Sequence, residues 1–274
     1  MLRLALHVDP RPVAVARIGL ALAALINTLE MYALLSGLAA GKLAMPLTDW
    51  VPSVSHVAVQ VVLAVGVTAS VSILLGVGTA AAAIAYSLTM GTVLLWDQQT
   101  YSSHQVIVVL LIAYLAFARS DRAYSLVSRG RPRREVPWWP QLLMMTQLSA
   151  LYLFAGLSKI NHMFLPGDAL AGWMRYPLPE WVYQPMAVAT IVTEMGLLAV
   201  GLWVPRLRMV AVVAGMGLHL SILTLLADST IQLVAFALAC VPLYPLFLAR
   251  PSLRRYGQDD PGPLMTGAPG PTLS

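Results

Sequence analysis

Eight long apolar runs constrain this chain more than any other feature. They lie at 12–36, 53–74, 77–96, 103–118, 138–159, 183–204, 209–227 and 231–249, with 103–118 the shortest. A helix needs about 20 mostly apolar residues to cross the hydrocarbon of a bilayer. Inside lipid every backbone N–H and C=O must be satisfied within the structure, which leaves helices or closed barrels. None of the runs alternates apolar and polar residues as a barrel strand does. The expected fold class is therefore all-α, a polytopic integral membrane bundle of about eight transmembrane helices. Composition agrees: 58% of the 274 residues are hydrophobic and 11% charged, against about a quarter charged in soluble chains.

The basic residues set an orientation, because short cytoplasmic loops retain Lys and Arg while translocated loops lack them. With the first segment inside, one side holds Arg3 and Arg11, then Arg119, Arg122, Arg129, Arg131, Arg133 and Arg134, then Arg206 and Arg208, then Arg250, Arg254 and Arg255. The other side keeps Lys42 and Arg175. One span more or fewer would scramble this pattern. The expectation is an integral protein of the cytoplasmic membrane, a bacterial inner membrane, with both termini cytoplasmic. The net charge of +5 is then topological and calls for no nucleic acid. Membrane lipid is the expected partner, and Arg129 to Arg134 can touch anionic headgroups, each charge being worth about 1 kcal/mol near the surface.

The first run carries Arg17 and Glu30 and exceeds the roughly 7 to 15 apolar residues of a signal peptide, so it is expected to stay as a span. The single cysteine, Cys240, rules out an intramolecular disulfide and CxxC chemistry. No internal repeat is visible, which argues against a transporter built from paired halves. The expected organisation is a transmembrane domain over 1–256 and a disordered cytoplasmic tail over 257–274, rich in Pro and Gly.

Ionisable residues within or beside spans are costly in lipid unless paired or facing a wet cavity. Arg17, Glu30, Asp97, His104, Lys159, Glu194, His219 and Asp228 stand out. The topology places Glu30, Asp97, His104, Lys159 and Asp228 toward the outer side, Glu194 and His219 near mid-membrane, and Arg17 in the inner half. Structural roles are open to several of them. Arg17 and Glu194 suit a buried ion pair or a cap on helix carbonyls, Glu30 and Asp228 suit an interfacial position, and Lys159 suits snorkelling to headgroups. His56 and His162 also fall outside, but the histidine spacings match no i, i+4 metal pair on one helix, and no metal is expected.

Two stretches carry a family resemblance. Tyr152-Leu153-Phe154-Ala155-Gly156-Leu157-Ser158-Lys159, preceded by Gln147 and followed by Pro166-Gly167-Asp168-Ala169-Leu170, resembles the signature of the HTTM (horizontally transferred transmembrane) domain, the membrane module of vitamin K-dependent gamma-carboxylase. Asp97, Tyr101 and His104 repeat a second spacing of that family, and Arg17-Ile18-Gly19-Leu20 with the Glu194 and His219 helices fit its layout, over roughly residues 10 to 250. Two positions depart from the family pattern: Ser158 replaces the first of two lysines, and Ser103 replaces an Asn beside the histidine.

The resemblance implies a base at Lys159 that deprotonates a reduced naphthoquinone, so that oxygen adds and a strong base forms for proton abstraction from the substrate. It implies a histidine at His104 that orients or protonates the intermediates. The implied catalytic residues are Lys159 and His104. The implied cofactor contacts are Asp97, Tyr101, Ser103, Tyr152 and His219, with Tyr101, Tyr152 and Trp173 as stacking candidates, and the implied cofactor is reduced menaquinone or vitamin K. Desolvation or a nearby cation would free Lys159 to act as a base, whereas Asp97 or Glu30 within a few Å would leave a simple ion pair. No large extramembrane domain follows the eighth run, so the expected substrate is a small molecule or a peptide presented by a partner protein. Two other functions fit the same residues: a non-catalytic membrane partner for a secreted peptide system, and a proton-coupled small-solute transporter using Glu194 and His219.

Overall fold

The computed structural model describes residues 4–47, 53–227 and 231–255. A short strand β1 (Leu4–Val8) leads into α1 (Pro10–Ala39), followed by α2 (His56–Leu75), α3 (Thr79–Trp96) and α4 (Ser103–Ala118). The two-residue β2 (Val136–Pro137) precedes α5 (Trp139–Ser158) and the short α6 (Asp168–Trp173). Then come α7 (Glu180–Ile191), α8 (Arg208–Leu225), α9 (Ile231–Cys240), α10 (Tyr244–Leu248) and β3 (Ser252–Arg255). Among the described residues, seven helical stretches are at least 18 residues long and apolar enough to cross a bilayer, counting Glu180–Trp203 and Ile231–Leu248 as one each. The chain is an all-α polytopic membrane bundle.

At 16 residues, α4 is the shortest of the expected spans, yet its two ends reach opposite ends of the bundle. Just before it, Asp97 bonds the turn that follows α1, accepting from the Met45 N–H at 2.6 Å. Just after it, the carbonyls of Ser120 and Tyr124 accept from Arg17, in the second turn of α1, at 2.8 and 2.5 Å. Being antiparallel to α1 over that stretch, α4 crosses the same layer, as the eight-span pattern expects.

The most buried span is α1, which packs against α2, α4 and α9. Its inward positions are largely small (Ala14, Ala16, Ala21, Ala23 and Ala24), which lets neighbouring backbones approach where no hydrophobic effect drives helices together. Its start is marked by Asp9, which accepts from the Arg11 N–H at 2.8 Å, and by Pro10 and Pro12 in the first turn. Around α1, the pairs α2–α3, α3–α4 and α4–α5 are adjacent, while α5, the 192–200 stretch, α8 and α9 close the other side.

Three features depart from a plain eight-helix expectation. A small antiparallel sheet in the order β2-β1-β3 joins three distant segments at the basic end of the bundle. The last span is broken at 241–243, where Pro242 within the break and Pro245 at the start of α10 lack the N–H a continuous helix needs. The sixth widens from α7 into a π-helix over Val192–Val200. Arg17 has no ion-pair partner within 4 Å among the described residues; backbone carbonyls after α4 hold it instead. Asp228 and the tail 257–274 lie outside the described residues.

Candidate functional site

Beyond the end of α5 the chain builds a second, smaller apolar cluster from Phe164, Leu170, Tyr183 and Ala187. Between this cap and the main core lies a cavity of about 450 Å³ with mainly apolar walls. Such dimensions are typical of small-molecule sites. Helical spacing aims the lining inward: Tyr152, Ala155 and Lys159 form one stripe of α5, and Met186, Thr190 and Glu194 continue another from α7. Ser103 and His104 enter from the start of α4, Leu218 and His219 from α8, Phe236 from α9, and Trp173 from α6.

An ion pair sits on one wall. Lys159 Nζ donates to the two Glu194 carboxylate oxygens at 2.8 and 2.7 Å and to the Ala155 carbonyl at 3.2 Å. The side chains are 24% and 7% exposed, so water does little to screen the attraction. The approach depends on Gly156, where a Cβ would meet Met195 Cγ at 2.3 Å. The neighbour that decides the state of Lys159 is therefore Glu194, neither Asp97 nor Glu30. The pair shares its hydrogen bonds through both carboxylate oxygens, so the two side chains form one unit at the cavity wall.

A second polar group lies deeper. The Tyr152 hydroxyl is 2.8 Å from His219 Nε2 and 2.7 Å from the Tyr244 hydroxyl, all three side chains being buried. This chain fixes the imidazole of His219 at the cavity wall. His104 has its Nδ1 3.3 Å from Ser102 Oγ, and Phe236 packs against both histidines, with ring centroids 4.6 Å from His104 and 5.4 Å from His219. Phe164 lies 5.9 Å from Lys159 Nζ, within cation–π range.

A family profile for the HTTM domain matches residues 6–250. The chain belongs to the HTTM family. No curated protein and no solved structure matches it. The HTTM match covers every element that lines the cavity.

The HTTM fold thus gathers Lys159, His104, Ser103, Tyr152 and His219 around one chamber. Asp97 and Tyr101 stay outside it. The Asp97 carboxylate is spent on the backbone, accepting from Met45 N–H at 2.6 Å and from Gln99 N–H at 2.8 Å. In this way it fixes the turn that delivers Ser103 and His104, acting on the chamber at one remove. Tyr101 is largely exposed. Residues that sequence reasoning missed are Phe236, Phe164 and Tyr244, together with Glu194 as the partner of Lys159. The i, i+4, i+8 line of Met186, Thr190 and Glu194 was a usable signal; Phe236 and Tyr244 carry none, since aromatic residues in apolar spans are usually core.

Proposed function

We propose that this HTTM protein is a gamma-carboxylase-like membrane enzyme that binds a reduced naphthoquinone of the menaquinone or vitamin K type in the cavity between α5, α8 and the α6–α7 cap. The observation that carries this is the convergence of one ion pair and two histidines, from four helices, on a single chamber whose walls are otherwise mainly apolar. The chamber fits such a ligand: Phe164, Trp173 and Phe236 offer aromatic faces, while Ser103, His104, His219 and Lys159 offer the few polar contacts a ring with two oxygens needs.

When bound, a reduced quinone supplies an ionisable ring hydroxyl and two electrons for oxygen. Lys159 would take up the proton of that hydroxyl from the state in which the proton it shares with Glu194 rests on the carboxyl and the amine is neutral; with the carboxylate charged, the two form a simple ion pair. His219, held by the Tyr152 hydroxyl, and His104, packed on Phe236, would supply the polar contacts that hold such a ring. The mainly apolar walls lower the local dielectric, which strengthens each of these electrostatic contacts. The substrate, a peptide or a small molecule, reaches the chamber from the cap side. That side faces away from the arginine-rich loops, which supports a cytoplasmic-membrane protein with both termini inside and the site toward the outer leaflet.

The test is to purify the protein in mild detergent, extract bound lipid and quantify quinone by mass spectrometry for wild type, Lys159→Ala and His104→Ala. Near-stoichiometric menaquinone that falls in His104→Ala, with oxidation of added reduced quinone lost in Lys159→Ala, is expected. If no quinone copurifies, none is turned over and both variants match wild type, catalysis is refuted and the chain acts as a membrane partner.

A further inference from the structure

At the opposite end of the bundle a second cavity, of about 420 Å³, lies where the loop after α4 folds over the last turn of α2. Its walls combine Leu74 and Leu75 with Tyr124, Leu126, Ser128 and Arg129. The loop is pinned: Leu126 N–H donates to the Leu75 carbonyl at 2.9 Å. Within it Ser125 and Ser128 exchange bonds, each hydroxyl accepting from the other's backbone N–H at 3.0 and 3.1 Å. The loop can come this close because residue 76 is glycine, with φ at +71° and an added Cβ only 2.3 Å from Ser125 Cβ. Charge here is strongly positive. Between 119 and 135 the chain carries six arginines against Asp121 and Glu135, and Arg129, Arg131, Arg133 and Arg134 are exposed.

We propose that this cavity binds the phosphate headgroup of an anionic phospholipid. Arg129 meets the phosphate, and the exposed Leu75 and Leu126 meet the first carbons of an acyl chain. Two independent features select a lipid over free phosphate. The site sits on the last turn of a span, where hydrocarbon gives way to headgroups, and it joins exposed apolar side chains to the guanidinium in one recess. Nothing in this depends on a ligand in the cap-side chamber.

The full-length protein in detergent mixed with equal phosphatidylglycerol and phosphatidylcholine, read by native mass spectrometry, tests it. Wild type is expected to retain phosphatidylglycerol in preference, and Arg129→Gln to lower that retention about fivefold, one arginine's share near an anionic surface. Leu75→Trp, which fills the recess without altering charge, lowers it as well, whereas Arg250→Gln, at the same end but outside the recess, does not. Equal retention of the two lipids, or an Arg250→Gln effect as large as that of Arg129→Gln, would overturn the site. Displacement of the lipid by inorganic phosphate alone would make it an ion site and overturn the lipid assignment.

Discussion

Lys159 and Glu194, 35 positions apart in the chain, meet through both carboxylate oxygens at 2.7 and 2.8 Å. One lies at the end of α5 and the other in the wide turns that follow α7, so their contact joins two spans at the wall of a chamber. A pair this sheltered leaves its partner uncompensated when either member is removed.

Removing one member alone should therefore cost far more than removing both. Lys159→Met and Glu194→Leu are each expected to lower stability by about 3 kcal/mol, and the double variant to regain most of it while remaining inactive. Thermal unfolding in micelles measures the cycle. Additive losses would mean that the contact carries little energy.

The hydroxyl of Tyr152 serves two buried partners, His219 and Tyr244, whereas that of Tyr244 serves one. Tyr152→Phe should then cost about 1 to 3 kcal/mol, the penalty for stranding buried polar groups, and Tyr244→Phe less. Nitrogen-15 spectra of labelled histidine should report a changed His219 tautomer in Tyr152→Phe. An unchanged spectrum would show that another group holds the ring.

The guanidinium of Arg17 reaches the carbonyls of Ser120, Ala123 and Tyr124 at once. Charge alone cannot reproduce that fork, so Arg17→Lys should be nearly as damaging as Arg17→Met, each losing about 2 kcal/mol or more. Folding yield in membranes and unfolding temperature would both fall. Full rescue by lysine would show that charge matters and geometry does not.

Close packing of α5 on the π segment rests on Gly156. Gly156→Ala should cost about 1 to 3 kcal/mol through overpacking and loosen the Lys159–Glu194 contact. Adding Met195→Ala, which removes the clashing side chain, should restore both stability and quinone binding. Failure of that second change to rescue would place the strain elsewhere.

Much of the fold was legible because lipid makes span length and arginine placement carry the topology. The run at 103–118 was readable as a span despite its length, since the charge pattern required it, and its contacts at the two ends of α1 bear this out. The sheet was not legible: β1, β2 and β3 are short, lie far apart in the chain and carry no strand-length pattern. Within the site, the family spacing drew attention to Lys159 and His104. For Glu194 as the lysine's neighbour, the line of Met186, Thr190 and Glu194 points to the same face of the sixth span, but the widening beyond Ile191 that completes the approach leaves no local pattern. Asp97 looked equally suited from its position near the outer side; backbone amides that any sequence possesses captured its carboxylate.

The winding of 192–200 has a further consequence. A π turn takes up residues beyond what an α-helix would hold over the same rise, and α7 and α8 anchor the chain on either side of this one. Deleting a single residue there would tighten part of the segment to α geometry and swing Glu194 by roughly 100° about the axis, out of reach of Lys159, with no polar group altered. The register of charge in this layer is set by how many residues are threaded between two fixed points. Insertions and deletions, more than substitutions, are the changes by which such a chamber would be gained or silenced.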